Sequence, residues 1–367
     1  MLNNKTIAVV VPAYNEETQI ASVIETMPDF VDRIIIINDN SSDKTAQIVM
    51  ALIENDKKQK QKIENILDKV KPNRYNKANM VLQELQKKEI AKYTPSKVFN
   101  QNPDQDRIIL INHLKNGGVG AAIARGYKWS KDYGIDCTAV MAGDGQMDPA
   151  ELESICKPVI EDNIDYVKGN RLIHRSALLV IPKVRFLGNS ILSILTKLAS
   201  GYWHVSDTQT GYTAISNKAL NAIRLYKIYK SYGMPNDMLV KLNIAFCTLK
   251  EVEIKPVYNI GEKSKMKIFK VIPKVSWLLI KSFFKRLWIK YLFRDFHPLF
   301  LLYNFGILLF IASIPLAVKI IDVWLIKSQA LNPVTLLAFI FLFISAFQSL
   351  LFAMWMDIQD NERLYKN

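Results

Sequence analysis

Two stretches near the end of the chain restrict its fold more than any other feature. Leu299–Val318 runs 20 residues without a charged side chain, and Val334–Met356 runs 23. A helix needs about 20 apolar residues to cross the hydrocarbon core of a bilayer. A buried helix pair in a soluble protein is the competing reading, and the preceding segment argues against it. Lys263–Arg294 holds ten Lys/Arg and no acidic residue, interleaved with Trp277, Phe283, Phe284, Trp288 and Tyr291. Basic and aromatic residues beside apolar spans suit an anionic lipid surface. The sequence therefore predicts one or two amphipathic helices along the membrane over Ile268–Phe296, then two transmembrane helices within 298–357. The linker Lys319–Pro333 carries only Lys319, Asp322 and Lys327 as charged residues. The far more basic side, which holds the bulk of the chain, is expected in the cytoplasm. Two crossings return 358–367 to that side as a cytoplasmic tail. The expectation is a multi-pass protein of the cytoplasmic (inner) membrane or its equivalent.

The net charge of +14 raises nucleic acid as a partner. The charge is concentrated beside the spans, so no nucleic-acid partner is expected. Cys137, Cys156 and Cys247 are odd in number and far apart, with no metal or disulfide spacing, which suits a reducing compartment. The apolar run at the N-terminus is too short for a signal peptide and leads straight into a strand pattern.

The first 260 residues alternate apolar β-branched runs, polar loops and helical patterns. Ile7–Val11 leads through Pro12–Glu17 to a helix at Thr18–Thr26. Ile34–Ile37 leads through Asn38–Thr45 to a helix at Thr45–Ile53. This is the grammar of a mostly parallel α/β sheet, whose ligands sit at the carboxyl ends of the strands. Strands are expected again at Arg107–Ile111, Ile164–Val167, Thr213–Ser216 and Glu251–Tyr258, and helical periodicity at Leu187–Leu198. Residues 54–106 interrupt the pattern. They are rich in Lys, Gln and Asn, with one helical face at Ile63, Ile66, Leu67 and Val70 and another at Val81, Leu82 and Leu85. An inserted helical arm is expected. A solvated insertion is its plain reading, and contact between protomers of a homo-oligomer the sharper one.

Five polar loops carry candidate chemistry. The stretch A-V-M-A-G-D-G-Q-M-D-P (Ala139–Pro149) ends an apolar run in a turn that presents Asp144, Gln146 and Asp148. Carboxylates at a strand end suit Mg²⁺ or Mn²⁺, which take oxygen ligands from one or two carboxylates and from substrate phosphates. Asp-Gly is also ordinary turn chemistry, and Asp148 before Pro149 reads as a helix cap. Asn116–Ala122, N-G-G-V-G-A-A, precedes a helix at Ala121–Lys131. Its glycines either let a ligand approach backbone N–H groups or serve helix packing. Arg185 and Asn189 share a helical face, with snorkelling at lipid as the alternative for Arg185.

Together V-V-V-P-A-Y-N-E-E (Val9–Glu17), N-D-N-S-S-D-K-T (Asn38–Thr45), N-G-G-V-G-A-A, G-D-G-Q-M-D-P (Gly143–Pro149) and D-T-Q-T-G-Y (Asp207–Tyr212) resemble, in order, glycosyltransferase family 2 enzymes of the GT-A fold. With Gly169-Asn170-Arg171 and the C-terminal spans, the chain looks like the polyprenyl-phosphate glycosyltransferase branch, which includes dolichol-phosphate mannose synthase. The resemblance covers residues 5–260 apart from the insertion. It implies a Rossmann-like GT-A catalytic domain over 1–260, a basic juxtamembrane segment over 261–297, a nucleotide-sugar donor, Mg²⁺ or Mn²⁺, and undecaprenyl or dolichyl phosphate as acceptor, with inversion at the anomeric carbon. A UDP-sugar is favoured over a GDP-sugar such as GDP-mannose. It implies Asp144 as metal ligand with Gln146 second. It sets Pro12, Tyr14, Glu16, Asp39, Gly118 and position 142 around the nucleotide, Asp39 as acceptor from a base N–H. Arg171 and Arg185 suit the acceptor phosphate, with Asn189 assisting and Lys263 and Lys265 as a looser match. Asp237 is a base candidate by analogy with processive relatives, helix capping being its alternative.

One position departs from the branch, whose metal motif is Asp-x-Asp. Here Ala142 stands first, in M-A-G-D-G. The open readings are a naturally different tuning, an inactive protein, or replacement of an Asp by Ala, which the otherwise intact motifs favour. Ala142 also motivates a second function class, a catalytically impaired, membrane-anchored nucleotide-sugar-binding protein. A processive polysaccharide synthase fits less well, since two spans are few for a polymer channel and no Q-x-x-R-W occurs.

Overall fold

The computed structural model describes residues 1–56, 62–66, 73–181, 183–258 and 268–366. The chain opens with β1 (Ile7–Ala13), α1 (Ile20–Glu25), β2 (Arg33–Asn38) and α2 (Thr45–Asn55). Next come α3 (Lys77–Glu89), β3 (Ser96–Val98), β4 (Ile108–His113), α4 (Val119–Asp132) and β5 (Cys137–Val140). A 3₁₀ turn at Pro149–Glu151 leads into α5 (Leu152–Ile160), then β6 (Tyr166–Asn170), α6 (Ala177–Val180) and α7 (Lys183–Ser200). β7 (Thr213–Ser216), α8 (Asn217–Ala222), α9 (Met234–Ile244) and β8 (Leu249–Glu253) complete the α/β part. Three long helices follow: α10 (Ile268–Trp288), α11 (Pro298–Ile321) and α12 (Pro333–Glu362).

The strands form one sheet in the order β3-β4-β2-β1-β5-β7-β6-β8. The β4-β2-β1-β5 run and the β6–β8 pair are parallel, while β3 and β7 run antiparallel to their neighbours. The central strands are apolar without alternation because helices cover both faces. Ala8, Val10, Ile35, Ile37, Ile109 and Ile111 pack on one face against Tyr127 and Leu239. Val9, Val11, Ile34, Ile36 and Leu110 pack on the other against Val23 and Ile155. This is the mixed, mostly parallel α/β sheet expected from the sequence.

From β1 the chain moves outward through β2 to β4, then returns past β1 to β5. That reversal opens a crevice at the carboxyl ends of β1 and β5, where such sheets bind ligands. Because β7 is antiparallel, the loop that precedes it reaches the same edge as the loops that follow β5 and β6. All five polar motifs therefore meet on one side of the sheet.

Residues 54–106 contribute more than a helical arm. Helix α3 forms over the Val81–Leu82–Leu85 face and has no buried residue. The segment then supplies β3, which pairs with β4 at the sheet edge. The sequence of β3, S-K-V, carries little strand signal, and an edge strand that packs little needs little. Ile63 packs on the core, while Leu67 and Val70 lie outside the described residues.

Helices Pro298–Ile326, including a terminal π turn, and Pro333–Glu362 are each long and apolar enough to cross a membrane. Leu308, Ile311, Leu337 and Phe341 are largely exposed on them. They are fastened to the α/β part by buried polar groups. Arg286 of α10 and Asp357 of α12 are both 0% exposed and form a bidentate pair at 2.7 and 2.8 Å. Arg286 also donates to the carbonyls of Leu198 and Ala199, at the C-terminus of α7. Lys290 donates to Asn361 and Asn243, which joins α12 to α9. A buried ion pair tolerates its desolvation only when further hydrogen bonds complete it, as these do.

Candidate active site

The loops after β1 and β2 are clamped to each other. The Asn15 amide donates to Ser41 Oγ at 3.0 Å, and Ser42 N returns a bond to Asn15 Oδ1 at 2.8 Å. Glu16 N donates to Thr45 Oγ1, Glu17 N to Asp43, and Lys44 N to Glu17. Pro12, Tyr14 and Glu16 thus sit in a loop held in place by the second motif, and Tyr14 is 40% exposed.

Asp39 sits inside this frame, 3% exposed. Its oxygens accept from the amides of Gly117 and Gly118, both at 2.7 Å, and meet His113 Nδ1 at 2.6 Å. Burial pushes its carboxyl pKa up, but the bonds from His113, Gly117 and Gly118 outweigh burial and hold it below the usual range. These bonds use most of the acceptor capacity expected to face a nucleobase.

Three amides of the glycine loop are engaged within the fold, while Val119 of the same loop lines the cavity described below. The amides of Gly117 and Gly118 are spent on Asp39, and that of Gly120 on the Lys230 carbonyl at 3.0 Å. Gly118 has φ +86°, and a methyl at Gly120 would lie 2.0 Å from the Tyr229 carbonyl oxygen. Gly120→Ala is therefore expected to cost about 1–3 kcal/mol through overpacking, read as a lower denaturation midpoint of the detergent-solubilised protein.

The stretch after β5 folds as a tight turn. Asp144 accepts from the amide of Gln146 at 3.1 Å, Gly145 takes φ +74°, and the Ala142 amide donates to Met147 Sδ at 3.2 Å. Asp148 caps the following turn through Ala150 N, with Pro149 in the first position. The buried Tyr212 donates its hydroxyl to the Asp148 carbonyl at 2.9 Å, which ties the fourth motif to the fifth.

Beside this turn lies a cavity of about 290 Å³. Asp144 and Gln146 line it from the fourth motif, Glu151 from the 3₁₀ turn that follows, Arg171 from just past β6, and Gln209–Thr213 from the loop before β7 and its first residue. Tyr232, Met234 and Lys255 are among its other lining residues. Arg171 is fixed by Asp207, which is 1% exposed: Nε meets Oδ2 at 2.8 Å and Nη2 meets Oδ1 at 3.1 Å. Asp207 further accepts from the amides of Gln209 and Thr210. Burial raises its carboxyl pKa, but Arg171 outweighs burial and the net shift is downward. The Nε–Nη2 edge of the guanidinium is thus occupied, and its Nη1 approaches Tyr258 at 3.4 Å. Five guanidinium N–H groups leave donors for an anion in the cavity.

The sequence places Asp207 within a motif, Lys168 at the end of a strand and Glu251 at the start of another, and gives none of the three a role in the site. Lys168 is fully buried on β6, donates to the Thr210 carbonyl, and burial brings its pKa down to about 8. A lysine inside the strand Y-V-K-G-N was the available signal. Glu251 accepts from the amides of Ser206 and Asp207 at 3.0 and 3.1 Å. Its alternating strand, L-K-E-V-E, distinguishes no single position.

The base role expected of Asp237 finds no geometry. It is not among the cavity-lining residues, it is 6% exposed, and it accepts from Lys241 Nζ and from the Tyr229 amide at 2.8 Å. Anchoring the Tyr229–Lys230 backbone under the glycine loop is the structural job it performs. Asn189 lies half-buried on α7. Arg185 belongs to the same helix, its side chain outside the described set, and Lys263 and Lys265 lie outside the described residues.

No three His, Cys, Asp or Glu side chains gather as a metal site among the described residues. Among the described residues the cavity is lined by two carboxylates, Asp144 with the side-chain amide of Gln146 close in sequence, and Glu151, which accepts from the Lys255 amide at 2.8 Å. That donor set fits a hard cation that takes its other ligands from phosphates and water, and does not fit an ion caged by protein alone.

The family model "Glycosyl transferase family 2" matches residues 8–79 and 89–224. The UDP-N-acetylglucosamine–dolichyl-phosphate N-acetylglucosaminyltransferase of Methanococcus voltae is 29% identical over 262 residues, 70% of this chain and 87% of that protein. The undecaprenyl-phosphate mannosyltransferase of Micrococcus luteus is 27% identical over 158 residues, 43% of this chain and 64% of that one. A crystal structure of glucosyl-3-phosphoglycerate synthase from Mycobacterium tuberculosis aligns with a TM-score of 0.47 at 16% identity, covering 77% of this chain and 80% of that chain.

Proposed function

The chain belongs to glycosyl transferase family 2, and from that premise we propose that it transfers a hexose or N-acetylhexosamine from a UDP-sugar to a polyprenyl phosphate at a membrane surface. The observation that carries this reading is the single cavity lined by both Asp144 and Arg171. A departing diphosphate needs its charge neutralised, and an arriving phosphate needs a cation to hold it. The relatives that act on dolichyl and undecaprenyl phosphate by name support the acceptor class. The donor of the Methanococcus relative supports UDP over GDP.

The acceptor is already anionic near neutral pH, so positioning matters more than a general base. Arg171, steadied by Asp207, offers its remaining N–H groups to the acceptor phosphate. A phosphate oxygen forms the new bond to the anomeric carbon as the bond to the diphosphate oxygen breaks, with inversion, and the nucleoside diphosphate leaves with the electron pair. Mg²⁺ or Mn²⁺, held by Asp144 with Gln146, would supply Lewis-acid neutralisation of that leaving group. The clamped loops at Pro12–Glu17 and Asn38–Thr45, none of whose residues lines the Asp144–Arg171 cavity, would hold the nucleoside beside it, a role their match to the family's motifs supports.

An exposed apolar face on α10 supports the same reading. Trp277, Ile280, Phe284 and Trp288 recur at helical spacing on the exposed side of α10, 69%, 49%, 38% and 47% exposed. Such a face lies on the bilayer while α11 and α12 cross it, with the catalytic part in the cytoplasm. The deciding experiment is a panel of radiolabelled nucleotide sugars with cell membranes as acceptor and Mg²⁺ or Mn²⁺. Label extracted into organic solvent supports lipid transfer and identifies the sugar; its absence with every donor sinks the reading.

Ala142 supports a second reading, a membrane-anchored protein that binds the donor without turning it over. An added carboxylate two residues from Asp144 is expected to raise cation affinity. Transfer by Ala142→Asp at limiting Mg²⁺ should then exceed that of the parent by roughly tenfold or more. Equal turnover by both forms would remove the idea that this position limits the chain. Donor binding with no lipid product from either form would favour the second reading.

A further inference from the structure

The loop before β7 puts Gln209 into the wall of the cavity that Asp144 and Arg171 share. Its backbone is fixed. The amides of Gln209 and Thr210 donate to Asp207 Oδ1 at 3.2 and 3.1 Å, and the buried Lys168 donates to the Thr210 carbonyl. The side chain is held as well. Gln209 Nε2 donates to Thr208 Oγ1 at 2.8 Å and to Asn236 Oδ1 at 3.0 Å. Those partners are braced from α7, where Ser193 Oγ lies 3.0 Å from Thr208 Oγ1 and Thr196 Oγ1 donates to Asn236 Oδ1 at 3.0 Å. Thr196, Thr208 and Asn236 are each 0% exposed.

Both N–H groups of the Gln209 amide are therefore spent inside the protein. Its Oε1 bonds to none of the described residues and stays accessible, on the cavity that the residue lines. A glutamine pinned in this way offers an acceptor and no donor. It favours an O–H or N–H group on a ligand, and a ligand that lacks one leaves the oxygen unpaired.

The reaction places the sugar here. With the departing diphosphate at Asp144 and the acceptor phosphate at Arg171, the transferred hexose lies between them, because its anomeric carbon exchanges one oxygen for the other. Asp207, which grips Arg171 through both carboxylate oxygens, also fixes the backbone of Gln209. The arginine and the glutamine thus share one anchor.

We propose that Gln209 is a specificity-determining residue whose Oε1 accepts a hydrogen bond from a hydroxyl or acylamino N–H of the transferred sugar, with Thr208 and Asn236 setting its acceptor-only orientation. This rests on the sugar-transfer reading of the cavity.

The test is equilibrium binding to the full chain in nanodiscs with Mg²⁺, as parent, Gln209→Met and Gln209→Glu. UDP-glucose, UDP-N-acetylglucosamine and GDP-mannose are compared with free UDP and GDP. The tightest binder is then compared with its deoxyfluoro analogues at C2, C3, C4 and C6, in which fluorine removes the donated proton. In the parent, one analogue should bind roughly fivefold to fiftyfold more weakly than the sugar itself. In Gln209→Met that ratio should fall to near one, with the ratios at the other positions unchanged. Gln209→Glu keeps an acceptor in place. Asn236 Nδ2 is buried without a partner, so the Asn236 amide can turn to donate to the new carboxylate, and the ratio should return. A structural role would weaken every ligand by one factor in Gln209→Met. That result overturns the proposal, as do ratios that stay unchanged in Gln209→Met, a ratio that Gln209→Glu does not restore, or sugars bound no more tightly than the free nucleotides. The expected ratios without any lipid-linked product in the transfer assay would sink the transfer reading and leave Gln209 as the sugar-reading residue.

Discussion

Asp144→Asn is expected to lower sugar transfer by roughly a thousandfold or more, about 4 kcal/mol of transition-state stabilisation. The substitution keeps the size of the side chain and its bond from the Gln146 amide, so the turn after β5 should survive. It removes the one carboxylate that the 139–149 turn offers to a cation inside the cavity. A neutral amide binds Mg²⁺ poorly against water, and the leaving diphosphate would then depart with its charge less compensated. Initial rates against Mg²⁺ concentration check this. The variant should need far more Mg²⁺, keep a low ceiling at saturation, and show a denaturation midpoint close to the parent's. A loss smaller than about tenfold would mean that Asp144 does not bear on the reacting diphosphate.

Arg171→Ala should act on activity and stability together. Asp207 is 1% exposed, and removing its guanidinium partner leaves a buried carboxylate short of its main compensation. Breaking one side of a buried pair costs about 3–5 kcal/mol. Because Arg171 itself is part exposed, 22% for its side chain, the lower end of that range is the expectation. Arg171→Lys separates the two effects. It keeps a positive charge near Asp207 but loses the planar fork, so stability should largely return while acceptor KM remains raised by about tenfold or more. The pH dependence follows from the sign of the Asp207 shift. Its folded pKa lies below the unfolded value, so the pair's stabilisation is full above about pH 4 and is lost as pH falls through the folded pKa. The gap in denaturation midpoint between parent and Arg171→Ala should therefore be widest near neutrality and close on strong acidification. A gap that stays constant to low pH would show that Asp207 is not the residue whose burial sets the cost.

Much of the architecture was legible because it depends on local patterns. Ile34–Ile37 and Ile7–Val11 are short continuous apolar runs rich in β-branched residues, the pattern of a strand covered on both faces, and each is a central strand. Asp148 before Pro149 read as a cap and is one. β3 was not legible, since Ser96–Val98 owes its strand state to the edge of β4 rather than to its own residues. The glycines at 117–120 left two readings open, and only the tertiary structure shows where their amides go, to Asp39 and to the Lys230 carbonyl. Asp237 has the same lesson. A carboxylate at a helix start is recognisable in sequence, but whether it faces a cavity or a lysine depends on what packs over it.

By itself the sequence determined the class of fold, the order of its motifs and the two long apolar helices at the end. Each of these rests on composition and periodicity within a window of some 10 to 25 residues. Only the tertiary structure decided which polar groups meet. Asp207 and Arg171, Glu251 and Ser206, Gln209 and Asn236, Arg286 and Asp357 are pairs separated by tens of residues or more along the chain, and no local pattern links their partners. Their pairing is set by strand order and by the return of α12 to the α/β part, where a buried polar group that finds no partner carries a penalty of about 1–3 kcal/mol. That penalty, applied to every group beneath the cavity at once, is what holds the site in one arrangement.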